Sequence, residues 1–144
     1  MNQIKNLSLI GIFMAFVVIA LGAWTRLVDA GLGCPDWPGC YGFVFWPNDE
    51  AEIALAESRF PMFPYDINKA IPEQVHRLFA ASLGLLAIIL VYLSFNKTKN
   101  KSMQRWSAFL LLLICCQGLF GYLTVSLKLL PIIVTIHLFG GFAT

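Results

Sequence analysis

The sequence predicts an all-α membrane protein, a four-helix transmembrane bundle with a truncated fourth helix and a long extracytoplasmic loop between the first two helices. Three observations predict it. The chain is 58% hydrophobic and 12% charged over 144 residues, with a mean hydropathy of +0.74, whereas soluble domains are about half apolar and about a quarter charged. Apolar runs long enough to cross a bilayer recur along it, separated by polar segments. Positive charge collects on one side of those runs and negative charge on the other. The net charge of +2 is scattered, and no basic run is interleaved with aromatic residues, so a nucleic-acid surface is excluded.

The first span is expected at about residues 7–27. Leu7 to Leu27 is too long for a signal-peptide core and lacks a small-residue cleavage pattern, so it reads as a retained helix. The loop at about 28–72 carries Asp29, Asp36, Asp49, Glu50, Glu52, Glu57 and Asp66 against only Arg59 and Lys69. Lys5, Lys97, Lys99, Lys101 and Arg105 lie at the opposite ends of the spans, which places the N-terminus in the cytoplasm and the acidic loop outside. Within that loop, Asp49 to Ser58 reads as a short surface helix between Trp46-Pro47-Asn48 and the prolines Pro61 and Pro64. The second and third spans follow at about 73–95 and 106–127. Pro131 is suited to open a fourth helix because that position needs no amide donor. From Pro131 to Thr144 there is about two thirds of a crossing at ~20 residues per span, so this helix is expected either to continue beyond Thr144 or to be covered by a partner. The whole of 1–144 reads as a single transmembrane domain.

Cys34 and Cys40 lie in the extracytoplasmic loop, the side on which disulfides persist, and the five residues between them include two prolines and a glycine that can turn tightly. They are expected to pair as a structural staple, with a redox-active role as the alternative. Zinc is disfavoured, because no second ligand pair lies nearby. Cys115 and Cys116 are adjacent in the third span and read as packing residues.

His76 and His137 are the only histidines. His76 follows Pro72 by four residues and His137 follows Pro131 by six, which at ~1.5 Å per residue puts both about 6 to 9 Å below the outer face. Two imidazoles at matched depth on helices running in the same direction suit the two axial positions of a haem iron. A macrocycle needs room, and small residues line both faces: Ala80, Gly84 and Ala87 beside His76, and Gly140, Gly141 and Thr144 beside His137. Close helix packing, with the histidines hydrogen-bonded to backbone, is the competing account. Glu73 shares the face of His76 and is either a helix N-terminal acid favoured by the dipole or a proton-handling group at the rim of the site. Arg26, Arg77 and Lys128 sit near the same boundary, where they either pair with haem propionates or snorkel to the interface.

With these residues in place, the chain resembles the haem A synthases, the CtaA/COX15 family, over essentially its whole length. The resemblance is carried by Gly22-Ala-Trp-Thr-Arg-Leu27, Gly31-Leu-Gly-Cys-Pro-Asp-Trp-Pro-Gly-Cys-Tyr-Gly42, Glu73-Gln-Val-His-Arg77, Gln117-Gly-Leu-Phe-Gly-Tyr-Leu-Thr-Val125 and His137-Leu-Phe-Gly-Gly141, in that order. It implies the N-terminal half of a protein with two similar four-helix halves. It further implies a bacterial inner-membrane enzyme that oxidises a methyl group of haem O to the formyl group of haem A for cytochrome oxidase biogenesis. Under this resemblance His76 and His137 are the axial ligands of the iron of the substrate haem, Glu73 is the residue acting in the oxidation, and Cys34 and Cys40 match a loop cysteine pair. The haem b cofactor belongs to the missing C-terminal half, since no second histidine pair exists here. Implied partners are that half or a second copy, haem O synthase, and cytochrome oxidase assembly factors.

Two other classes are compatible with the residues. A non-catalytic bis-histidine haem carrier or assembly factor needs only the two histidines. A thiol-disulfide oxidoreductase would use Cys34 and Cys40, but no second reactive pair or Cys-x-x-Cys accompanies them.

Overall fold

The computed structural model describes residues 2–144. Among the described residues there are five helices and no extended strand: α1 (Asn2–Leu27), α2 (Glu50–Arg59), α3 (Ile67–Lys97), α4 (Lys101–Ser126) and α5 (Pro131–Ala143). Of these, α1, α3 and α4 are long and apolar enough to cross a membrane, while α5 is apolar but only 13 residues long. Helices α3 and α4 begin ahead of their apolar stretches because a polar side chain beyond each stretch caps the helix. Asp66 accepts from the Asn68 amide ahead of α3, and Asn100 accepts from the Ser102 and Met103 amides ahead of α4. The second apolar helix therefore begins at Ile67 rather than at Glu73, with Pro72 inside it. The short surface helix appears one residue on from its expected span, capped by Asp49, which accepts from the Glu52 amide.

The outward faces are apolar, as a lipid-solvated helix requires: Leu9, Ile12, Phe13 and Phe16 of α1 are all more than half exposed. Where the helices meet, small residues bring the backbones together. Gly11 lies against Leu86, whose Cδ2 would be 2.9 Å from a Cβ there, and Gly22 lies against the His76 ring. Positions 11 and 22 fall on one face of α1, and that face packs on α3. In turn α3 packs on α4, where the Ser94 and Ser107 hydroxyls lie 2.6 Å apart; α4 packs on α5, and α5 touches α1. Among the described residues the backbones of α3 and α5 do not pack closely on each other, so the two helices stand diagonally, each flanked by α1 and α4.

The segment between α1 and α3 is a folded cap with its own core of Cys34, Cys40, Tyr41, Ala56 and Ala70, flanked by Phe43, Trp46, Phe60, Phe63 and Tyr65. Cys34 and Cys40 are disulfide-bonded. The Asp36 carboxylate accepts from the Tyr41 and Gly42 amides at 2.6 and 2.8 Å, holding a turn in which both residues have positive φ (56° and 83°). Tyr41 packs edge-on against Phe60 and Tyr65 and donates its hydroxyl to the Pro64 carbonyl; burial, followed by the neighbouring Tyr65, raises its pKa and keeps it a donor. Trp37 reaches across to Tyr122 of α4, ring centroids 5.8 Å apart. The cap therefore sits on the end of the molecule shared by the start of α3, the end of α4 and the start of α5.

Backbone meets backbone at Gly33, where an added Cβ would run into the Lys69 carbonyl and lie 2.8 Å from the Ala70 amide. Gly118 on α4 has open space around it. Gly33→Ala is expected to destabilise the protein by about 1–3 kcal/mol, and Gly118→Ala to leave it unchanged or slightly more stable. Thermal unfolding in detergent compares the two; equal midpoints would contradict the packing of the cap on α3.

Candidate functional site

His76 projects from α3 toward α1, and His137 from α5 toward α4. The Nδ1 of His76 lies 3.1 Å from the Val18 carbonyl. A carbonyl only accepts, so Nδ1 carries the hydrogen and Nε2 keeps its lone pair. Gly22, one turn beyond Val18, makes room for the ring: a Cβ there would be 3.0 Å from Cε1. His137 lies against Gly121 of α4 in the same way, 3.6 Å from where a Cβ would stand, and its buried Nδ1 has no hydrogen-bond partner. The helices that carry the two rings pack on common neighbours, α1 and α4, rather than closely on each other. Beside His76, Ala80, Leu83, Gly84 and Ala87 continue a largely inward stripe. The depth of His76 is set by this packing and not by Pro72, because the first turns of α3 rise into the cap.

Glu73 sits between this region and the cap and is 5% exposed. Its Oε2 accepts from the Cys34 amide at 2.9 Å, and its Oε1 accepts from Arg77 one turn along the helix. Arg77 also donates to the carbonyls of Asp36 and Gly39 at 2.7 and 2.6 Å. One guanidinium thus joins the carboxylate to both arms of the disulfide-closed turn. Gln74 completes the attachment by donating to the Val44 carbonyl. Both oxygens of Glu73 are engaged by N–H donors, so the carboxylate is fixed in place with a lone pair left on each oxygen.

The other basic residues singled out in the sequence behave differently. Arg26 at the end of α1 and Lys128 in the α4–α5 turn are exposed. Lys128 and Leu129 turn the chain with positive φ (49° and 59°). Cys115 and Cys116 are free and exposed on α4, away from the disulfide. Three features escaped the sequence reading: the Val18 carbonyl, the Gln74 bridge, and Gln117, whose buried Oε1 has no partner. Only Gln117 had a sequence signal, an amide in the middle of an apolar run.

Comparison with known proteins follows the same lines. The COX15-CtaA profile, described as cytochrome oxidase assembly protein, matches residues 5–144. The chain is 44% identical over 141 residues to the Heme A synthase of Shewanella oneidensis, covering 98% of this chain and 42% of that protein. It is 28% identical over 131 residues to the Heme A synthase of Flavobacterium psychrophilum, covering 81% of this chain and 38% of that protein. It is 29% identical over 126 residues to that of Oceanobacillus iheyensis, covering 87% and 36%. The chain therefore spans about two fifths of the length of the curated relatives it matches. No solved structure matches it significantly.

Removing one member of a buried ion pair strands the other. Arg77→Met is expected to destabilise the protein by about 3 kcal/mol, and adding Glu73→Gln to recover part of that loss. Unfolding of the two single variants and the double variant closes the cycle; strictly additive losses would show that the two residues are not coupled.

Proposed function

This chain belongs to the COX15-CtaA family of cytochrome oxidase assembly proteins, and from that premise we propose that it forms the substrate half of a haem A synthase. In this reading it binds haem O between His76 and His137 for conversion to haem A. The observation that carries it is the diagonal placement of the two histidines, on helices that pack on common neighbours but not on each other. The donor set fits a haem. His76 keeps Nε2 free because Nδ1 is held by the Val18 carbonyl, the arrangement that orients a metal-binding imidazole, and His137 has a buried nitrogen without a partner. Among the described residues no group of three or more His, Cys, Asp or Glu side chains converges. Two protein ligands alone suit an iron whose remaining positions are filled by a macrocycle.

The bound macrocycle supplies both the iron chemistry and the methyl group that becomes the formyl. The residues of this chain supply geometry and proton control. His76 and His137 fix the ring from opposite helices. Glu73 presents a fixed carboxylate at the cap edge of the space, placed to take up a proton as the methyl carbon is oxidised. The cap above it shields that edge from water. Arg26 and Lys128, with the N–H donors that Arg77 leaves uncommitted, receive the propionates.

The same reading sets the surroundings. Helices α1, α3, α4 and α5 form a four-helix transmembrane domain in the bacterial inner membrane, with the N-terminus in the cytoplasm and the cap outside, in accord with the charge bias of the connections. The haem b that relays electrons is held by a C-terminal half or by a second copy. Haem O synthase supplies the substrate, and assembly factors of cytochrome oxidase receive the product.

His76→Ala and His137→Ala are each expected to lower haem occupancy at least tenfold in detergent-purified protein, read from the Soret band; unchanged haem content would remove that residue as a ligand. Glu73→Ala, placed in a full-length relative, should keep its haem and lose formyl formation. Continued production of haem A by that variant would sink the role given to Glu73.

A further inference from the structure

Gln117 is the polar side chain on the α4–α5 interface that the proposed chemistry leaves unused. Its Oε1 is buried and has no hydrogen-bond partner, an expensive state for an amide carbonyl inside a membrane protein. Gln117 and Gly121 lie one turn apart on the same face of α4, and Gly121 packs on the His137 ring. His137 and Gly140 share a face of α5, and Gly140 lies so close to the Gln117 amide that a Cβ there would collide with Nε2. The four residues close a rectangle, with the amide held against α5 by the missing side chain of Gly140.

The cap fixes which end of that rectangle is deep. Tyr122 of α4 meets Trp37 of the cap, so Gln117 lies further from the cap than Gly121 and His137, by about 6 Å for one helical turn. Arg26 and Lys128 lie at the cap end. A haem between the histidines has its charged propionates directed there, and its opposite edge then reaches the depth of Gln117. On haem O that opposite edge bears the hydroxyethylfarnesyl substituent, which carries one hydroxyl group; haem b has a vinyl group in its place.

Resting on the haem O reading above, we propose that Gln117 is the specificity-determining residue that recognises this hydroxyl, its Oε1 accepting the hydroxyl hydrogen. Binding haem O satisfies the stranded carbonyl, whereas binding haem b leaves it unsatisfied. A site built around a hydrogen bond to a substrate hydroxyl rejects the analogue that lacks it.

The test titrates the purified chain in detergent with haem O and, separately, with haem b, following the Soret band. Gln117→Leu should weaken haem O binding about tenfold and leave haem b binding within about twofold, and the preserved haem b affinity certifies that the variant is folded. Equal weakening of both haems, or unchanged haem O affinity in Gln117→Leu, overturns the proposal while leaving the histidine site intact. Failure of the wild-type chain to take up haem O overturns both this proposal and the reading it rests on.

Discussion

The ion pair between Glu73 and Arg77 is the joint on which the architecture turns. It connects two parts with different physics, a set of long apolar helices and a small cap with its own aromatic core. Each partner serves both sides. The carboxylate receives the Cys34 amide from the cap, and the guanidinium donates to the Asp36 and Gly39 carbonyls while holding Glu73 on α3. A buried carboxylate beside a membrane is tolerable only when its oxygens are this well satisfied. The disulfide between Cys34 and Cys40 limits the turn that carries those amide and carbonyl groups. The cap is thereby held over the site.

Below the cap, the helices are organised by what they leave out. Lipid provides no hydrophobic drive for helices to associate, so contacts form where small residues permit close approach. Gly11 and Gly22 bring α1 onto α3, and Gly121 and Gly140 bring α4 and α5 together. These contacts run between neighbours, and the pair bearing the histidines stays apart. The proposed haem site is the space enclosed by that pattern, and the glycines that shape it are as much a part of the site as the imidazoles are.

Much of the helical content was legible because an apolar run of spanning length is a one-dimensional signal. The beginnings of α3 and α4 were not, since Asp66 and Asn100 lie in polar sequence and act through caps that hydropathy ignores. His76, His137 and Glu73 drew attention as ionisable groups in apolar surroundings. Their partners stayed hidden because those depend on tertiary placement: the Val18 carbonyl belongs to another helix, and the cap carbonyls that hold Arg77 lie about 40 residues away. Arg77 illustrates the limit well. Its charge and boundary position suggested propionates or snorkelling, and the fold gives most of its donors to Glu73 and the cap.

The central claim is that the space between α3 and α5 takes the substrate of haem A synthesis. The most direct measurement is to purify the chain from membranes of cells that make haem O, extract the bound pigment, and identify it by mass and by its reduced pyridine spectrum. The account predicts haem O or haem A. Haem b alone, or no haem, would contradict it and leave a carrier or scaffold in its place.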